Sequence, residues 1–146
     1  MRAINTLAAI TILSAATAAY AHTNVKNAAV KARMDLMGTI AGNMKVLGDM
    51  AKGARAFDAG KAQVAASAIA EGAGKTPALF KAQEDDPKSE AKPAIWQNFA
   101  DFTAKAAAME GAASQAAGAL TSVDALRTAV GQIGATCGAC HKVYRE

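Results

Sequence analysis

The feature that most constrains the fold is an apolar stripe near the C-terminus, spaced alternately by three and four residues. It consists of Val123, Leu126, Val130, Ile133, Cys137, Cys140 and Tyr144. Because an α-helix has about 3.6 residues per turn, residues spaced in this way share one face and can pack on a core. The pattern predicts a helix that begins at Thr121 or Ser122, whose hydroxyl groups suit an N-cap, with both cysteines directed inward.

Three other segments have helical patterns, and they are separated by residues that end helices. The first helix is predicted over residues 24–52, and the third covers 98–119. The second is weaker and runs from an N-cap at Asp58 to a stop at Gly72 and Gly74. No strand pattern of comparable strength occurs in the sequence. We therefore expect an all-α chain folded as an antiparallel four-helix bundle.

Each of these helices has a stripe of residues expected in the core. In the first helix the stripe is Val30, Met34, Met37, Ala41, Met44, Gly48 and Ala51, with Ile40 and Leu47 beside it. In the second it is Val64, Ala68 and Ile69. In the third it is Phe99, Phe102, Ala106, Met109, Ala113, Ala116 and Leu120. Residues 75–93 contain three prolines and an acidic run, which predicts an irregular connection with at most a short turn, tethered by Ile95 and Trp96.

The N-terminal segment has the order of a secretory signal peptide. One basic residue, Arg2, precedes an apolar run over 3–19, and an A-x-A cleavage site ends at Ala21. A membrane anchor or a buried helix is the alternative, but the run is shorter than the ~20 residues that a span needs. We expect cleavage after Ala21, which leaves a bundle domain of residues 22–146, soluble and exported, and periplasmic if the source is Gram-negative.

The motif with the most chemical content is Cys137-Gly138-Ala139-Cys140-His141, which matches the C-x-x-C-H pattern of covalent haem attachment. Thiols at this spacing lie about one helical turn apart, which suits thioether bonds to one porphyrin. His141 lies on the same face as Cys137 and can reach the iron from that side. The sequence therefore predicts one covalently bound haem c.

Three other roles could use the same cysteines. A thioredoxin-type redox pair needs its motif at the start of a helix after a strand, and here the motif lies near a helix end. A zinc site needs four ligands, and the chain offers Cys137, Cys140, His141 and His22. A disulfide or a pair of buried thiols would leave the adjacent histidine without a role. Export favours haem, because c-type haem is attached outside the cytoplasm.

The C-terminal position of this motif, on the last helix of a predicted four-helix bundle, resembles the class II c-type cytochromes, the cytochrome c-prime family. Further similarity lies in Arg33 followed four residues later by Met37, and in the segments 46–53, 57–58 and 92–96. Together these pieces cover essentially the whole chain after the signal peptide.

The resemblance implies a role for each matching residue. Cys137 and Cys140 would be the thioether anchors, and His141 would be the proximal iron ligand. Arg145 matches a basic residue beside the proximal face, although it could also be a solvated cation at the helix end. Arg33 matches a basic residue near the haem propionates, although it could also lie on a helix edge.

Met37 matches the position over the distal face of the iron, and two functions follow from its two possible roles. A ligating Met37 would close the sixth position and make the chain a periplasmic one-electron carrier with low-spin haem. A Met37 that only packs over the iron would leave a high-spin, five-coordinate haem open to NO or CO. Met34 and Met44 are expected to fill the core instead. We do not expect an enzyme, because no second histidine lies near the matched distal stripe to act as a base.

The expected partners are redox proteins. The chain has a formal net charge of +4 but no run of five or six basic residues, so nucleic acid is not expected. Lys142 and Arg145 near the motif favour an acidic redox partner. The chain could be a monomer or a homodimer that pairs through the small residues of its first two helices, which are Ala28, Ala29, Ala32, Ala65 and Ala66.

Overall fold

The computed structural model describes residues 24–146, which form five helices. They are α1 Ala28–Ala51, α2 Ala59–Leu79, α3 Ala94–Gln97, α4 Phe99–Ala119 and α5 Val123–Tyr144. The predicted signal peptide over 1–21, its cleavage site and His22 lie outside the described residues. Within the described part, none of the helices combines the length and apolarity that a membrane crossing requires.

The four long helices form a closed ring of neighbours. Helix α1 packs on α2 and α5, and α4 packs on the same two helices. Only residues 120–122 connect α4 to α5, so the chain reverses direction there and the two helices run antiparallel. The prediction of an all-α four-helix bundle is confirmed.

Side-chain caps fix where three of the helices begin. The predicted caps are confirmed: Asp58 Oδ1 accepts from the Lys61 backbone N–H at 2.9 Å, and Ser122 Oγ accepts from that of Ala125 at 3.2 Å. The predicted start of the first helix at residue 24 is wrong. Asn27 is the N-cap of α1, because its Oδ1 accepts from the second and third following N–H groups at 2.9 and 3.1 Å.

The predicted end of the second helix at Gly72 and Gly74 is also wrong, because α2 continues to Leu79. A Cβ on Gly72 would lie 2.7 Å from Cγ1 of Ile40, so this glycine allows α1 and α2 to approach closely and does not end the helix. Pro77 lies in the last turn, where its missing N–H removes a single helical hydrogen bond.

The predicted stripes match the buried faces of α4 and α5 better than those of α1 and α2. Six of the seven residues in the α4 stripe are buried. On α1, however, the face toward α2 carries Ile40, Leu47 and Met50, which are buried, while the methionine stripe lies to one side of it. On α2, Val64 is 70% exposed, because the buried face is a row of small residues.

That row of small residues also corrects the expected dimer surface. Ala65 and Ala66 are 3% and 0% exposed within the bundle, so neither can form a contact with a second copy of the chain. They pack instead in the core that α2 shares with its neighbours. Ala28 on α1 is exposed, and Ala29 and Ala32 are half-buried.

The connection between α2 and α4 is irregular over 80–93 and then forms the short helix α3, which tethers it as predicted. Ile95 is 2% exposed and packs in a second cluster with Phe80, Phe102 and Tyr144. Trp96 donates from Nε1 to the Phe80 carbonyl at 2.8 Å. The start of α1 is tied to the same connection by Asp86, which is buried and accepts the backbone N–H groups of residues 26 and 27 at 2.8 and 3.0 Å.

The contact at Gly72 yields a test of close packing between α1 and α2. Gly72→Ala should lower the free energy of unfolding by about 1 kcal/mol, because overpacking against the stiff Ile40 outweighs the helix propensity gained. Gly111→Ala is the matched control, because nothing lies within 4 Å of its added Cβ, and it should raise that free energy by about 0.5–1 kcal/mol. Denaturant unfolding of the haem-loaded protein measures both. Equal effects in the two variants would contradict the packing role of Gly72.

Candidate functional site

The cysteine motif faces a single large cavity of about 680 Å³ at one half of the bundle. Helix α1 contributes Val30, Arg33, Met34, Met37, Gly38, Ala41 and Met44. Helix α4 contributes Phe102, Lys105, Ala106 and Met109. Helix α5 contributes Thr136, Cys137, Cys140, His141, Tyr144 and Arg145, and the irregular connection adds Phe80, Ser89, Glu90, Ala91 and, from α3, Ile95. The volume lies within the range of about 300–1,000 Å³ that is typical of cofactor sites.

Cys137 and Cys140 are half-buried on the cavity side of α5 and are not joined by a disulfide. Burial raises the pKa of both thiols, which leaves them protonated at neutral pH. A thioredoxin-type pair needs the opposite, a lowered thiol pKa. Over residues 24–146, no group of three or more His, Cys, Asp and Glu side chains could hold a metal ion, so the described part of the chain provides no zinc site.

His141 follows directly after Cys140 and lines the same cavity. Burial of its ring lowers the pKa of the imidazole, the positive charge of Arg145 lowers it further, and the negative charge of Glu90 opposes both. The balance favours the neutral imidazole, which is the form that binds iron.

Met34 and Met44 were expected to fill the core, but among the methionines of α1 only Met50 is buried there. Met34, Met37 and Met44 all line the cavity and are half-buried, although Met44 also packs against the main core. A fourth methionine, Met109 of α4, lies with its Sδ 3.6 Å from the Sγ of Cys137. Thioether sulfurs therefore flank the cysteine motif and line the α1 side of the cavity.

Arg33 is 3% exposed, and its guanidinium is committed to the irregular connection. It donates to three backbone carbonyls, those of Leu79 at 2.9 Å, Ala82 at 2.6 Å and Glu84 at 2.8 Å. The guanidinium also lies 4.8 Å from the ring centre of Phe80 and 5.4 Å from that of Trp96. Burial lowers the pKa of Arg33, and the charges of Glu84 and Asp85 oppose that effect. Arg33 thus holds the irregular connection in place as one wall of the cavity, and its positive charge lies beside that cavity.

Arg145 is paired, and it pins a strap of residues 89–92 to the end of α5. Its Nε and Nη2 lie 2.6 and 2.5 Å from Oε2 of Glu90. Backbone hydrogen bonds of 3.0 Å from Lys92 to Tyr144 and from Glu146 to Glu90 complete the pairing. Sequence reasoning missed Glu90, because it lies in an irregular segment with no periodicity to indicate which way it faces.

Tyr144 was expected only as a core residue, but it forms a polar contact beside the motif. Its hydroxyl donates to Oδ2 of Asp101 at 2.6 Å, and its ring stands edge-on to Phe102 with the ring centres 5.4 Å apart. The bond to Asp101 and burial raise the pKa of Tyr144 to about 12. The same bond lowers the pKa of Asp101.

Comparisons with known proteins agree with this arrangement. The sequence profile of the family described as Cytochrome C' matches residues 28–145. Cytochrome c-556 of Agrobacterium tumefaciens (strain II Chrys) is 38% identical over 117 residues, which are 80% of this chain and 95% of that protein.

Solved structures show the same likeness. An NMR-validated structural model of oxidized Rhodopseudomonas palustris cytochrome c556 is similar with a TM-score of 0.74 and 32% identity, covering 82% of this chain and 96% of the other. The nitric oxide complex of a mutant cytochrome c prime from Alcaligenes xylosoxidans has a TM-score of 0.70 and 30% identity, with coverage of 81% and 94%.

The bond between Tyr144 and Asp101 predicts an unusual alkaline titration. Tyr144 is the only tyrosine in residues 24–146, so the phenolate absorbance of a chain without the N-terminal segment reports this group alone. We expect a midpoint at about 12. A free tyrosine titrates at about 10. Because the folded pKa is raised, the bond stabilises the fold below about pH 10, and that contribution is lost as the pH rises through the folded value.

Asp101→Asn is the control for this titration, because it removes the charge that holds the phenol neutral. The midpoint should then fall toward the ordinary value. A midpoint near 10 in the unsubstituted protein would contradict the contact.

Proposed function

Because the chain belongs to the cytochrome c′ family and is a c-type cytochrome with covalently bound haem c, we propose that it is a periplasmic one-electron carrier with His141 and Met37 as axial ligands. Members of this family are generally electron carriers. Cys137 and Cys140 form the two thioether bonds. We also propose that residues 1–21 direct export and are removed after Ala21.

The main observation in support of the proposal is that a single cavity has chemically different groups on two of its walls. The α5 wall presents both cysteine sulfurs and the adjacent imidazole, and the α1 wall presents a row of methionines. The apolar lining between them suits a porphyrin, and the volume suits a cofactor of that size. The residues present therefore fit haem c.

Haem held by one imidazole and one thioether exchanges single electrons at a raised potential. The residues of this chain set the conditions for that exchange. Phe102, Ala106 and Met109 present apolar surface to the cavity, which excludes water. A dry cavity of low polarity disfavours the more highly charged ferric state, and this also raises the potential.

The α1 wall favours methionine as the sixth ligand because it offers few other donors. Its polar residues that line the cavity are Arg33 and Lys45. The Arg33 guanidinium is committed to backbone carbonyls, and the amine of Lys45 donates to Asp49 at 2.6 Å. Among the methionines, Met37 has the position that the family resemblance assigns to the distal face.

The two arginines of the proposed site act at its edges. We assign Arg33 to the propionate side, where its charge is held close to the cavity by the loop carbonyls. We assign Arg145 to the proximal side, where it is paired with Glu90. Lys142 is exposed on the last turn of α5 and supports docking of an acidic redox partner.

A second candidate function is the binding of NO or CO by a five-coordinate haem. Similarity to a cytochrome c prime whose structure is a nitric oxide complex favours it. So do Gly38 and Ala41, which flank Met37 on the cavity wall and leave space that a diatomic ligand could use if the sulfur does not reach the iron. The two candidates differ in the sixth position alone.

Absorption spectra test the proposal. We expect the purified protein to show sharp split bands when reduced, a weak charge-transfer band of methionine sulfur when oxidised, and no response to CO. Met37→Ala should abolish the charge-transfer band, lower the reduction potential and allow CO to bind, because the sixth position opens. An intact mass measurement on the same sample checks that one haem is attached and that the chain begins at His22.

Met34→Ala is the matched control, because it removes a methionine one turn away that lines the same cavity. It should leave the spectrum and the CO response unchanged. A broad high-spin spectrum that shifts with CO in the unsubstituted protein would replace the electron carrier with the gas-binding candidate. Loss of the charge-transfer band in Met34→Ala and not in Met37→Ala would move the ligand to Met34.

A further inference from the structure

Glu90 is the single carboxylate among the described residues that line the cavity. The other charged side chains there are cationic, namely Arg33, Lys45, Lys105 and Arg145. The Glu90 side chain is 56% exposed, so its charge is screened at a distance and acts on the imidazole mainly through close contact.

The position of Glu90 is fixed by the strap and by Arg145. Two backbone hydrogen bonds tie the strap to the end of α5: the Glu90 carbonyl accepts from the N–H of Glu146, and the N–H of Lys92 donates to the Tyr144 carbonyl. Both contacts from Arg145 go to Oε2 of the carboxylate. This arrangement leaves Oε1 able to accept a hydrogen bond from a neighbouring group.

We propose that Glu90 is a positioning residue for His141, whose carboxylate accepts the outer ring N–H of the imidazole and thereby lowers the reduction potential of the haem. The inference rests on the proposed function, in which the other ring nitrogen of His141 binds the iron. Histidine ligands commonly donate their second N–H to a carboxylate, which fixes the ring and makes it a stronger donor. A stronger donor favours ferric over ferrous iron.

The placement of Glu90 supports this assignment. Arg145 lies one turn after His141 at the end of α5 and binds the Glu90 carboxylate, and Glu90 and His141 line the same cavity. Arg145 therefore has two effects: it orients the carboxylate, and it moderates the charge that the imidazole experiences.

The reduction potential of the haem-loaded protein tests the inference. Glu90→Gln should shift the ratio of reduced to oxidised protein at a fixed potential by about tenfold toward the reduced form, which is about 59 mV for one electron. Glu146→Gln is the matched control, because it removes the same charge from a residue paired with the same strap that does not line the cavity. It should change the ratio by less than about twofold, since its carboxylate is exposed and, unlike that of Glu90, does not line the cavity with His141.

A double variant separates the hydrogen bond from charge alone. Glu90→Gln combined with Arg145→Gln leaves the net charge unchanged, so an effect of charge at a distance would cancel. Loss of the hydrogen bond to His141 would still raise the potential, by at least about half of the shift in Glu90→Gln. Glu90→Asp keeps the charge but shortens the side chain, so the hydrogen bond should be lost and the reduction potential should rise. This variant tests the same hydrogen bond if Glu90→Gln folds poorly.

The outcomes distinguish this inference from the proposed function. If the absorption spectrum shows a histidine-ligated haem and Glu90→Gln leaves the potential within about twofold of the unsubstituted protein, the inference fails and the proposed function stands. Equal shifts in Glu90→Gln and Glu146→Gln, or cancellation in the double variant, also overturn it. If His141→Ala retains the unsubstituted spectrum, the proposed ligation itself fails.

Discussion

Close packing between α2 and α4 is the constraint on which the rest of the structure depends. The buried face of α2 consists of Ala, Gly, Thr and one Ile, and α4 adds Ala113 and Ala116 to the core that it shares with α2. Small side chains let the two helix backbones approach closely, so that dense packing needs few large residues. The large apolar side chains of the main core come chiefly from α1 and α5, and the buried aromatic rings gather in the second cluster around Phe80, beside the cavity.

The wall formed by the connection between α2 and α4 has a different physical basis, since residues 80–93 are too irregular to bury their own backbone groups. Arg33 satisfies three of those carbonyls at once, and Asp86 binds backbone N–H groups at the start of α1. A buried polar group is stable only when its hydrogen bonds are made, and both residues meet that condition. The two side chains hold the connection against α1, and α3 holds it against the second cluster.

The difference between patterns within one helix and contacts between separate segments explains which features could be predicted from the sequence. Patterns that depend on one helix were read correctly: the caps at Asp58 and Ser122 and the stripe of α4. Features that depend on a neighbour were missed. Gly72 resembles a helix stop until Ile40 is placed against it, and Val64 resembles a core residue until the small face of α2 is seen to be the buried one.

In the candidate site, too, the local motif could be predicted, whereas the residues that reach it from other segments could not. The cysteine motif is local, and its two cysteines and its histidine line one cavity as their spacing predicts. Glu90 and Asp101 reach the site from other segments, through the strap and the start of α4. Arg33 could be singled out by resemblance, yet its bonds to carbonyls carry no signal in the sequence, because every residue has such a carbonyl. Side-chain patterns show which helices form, and contacts between segments show what surrounds the motif.

The helices of this bundle change role along their length, and that change connects the fold to the function. The first half of α5 buries Leu126, Ala129 and Ile133 in the main core, and its second half turns the continuation of the same stripe, from Cys137 onward, toward the cavity. Helix α1 has the reverse order, with Met34 and Met37 at the cavity and its later residues in the core. Because the two helices pack together in opposite directions, their cavity-lining halves meet at one end of the bundle. A single unbroken apolar repeat can therefore build a packed core at one end and a cofactor wall at the other.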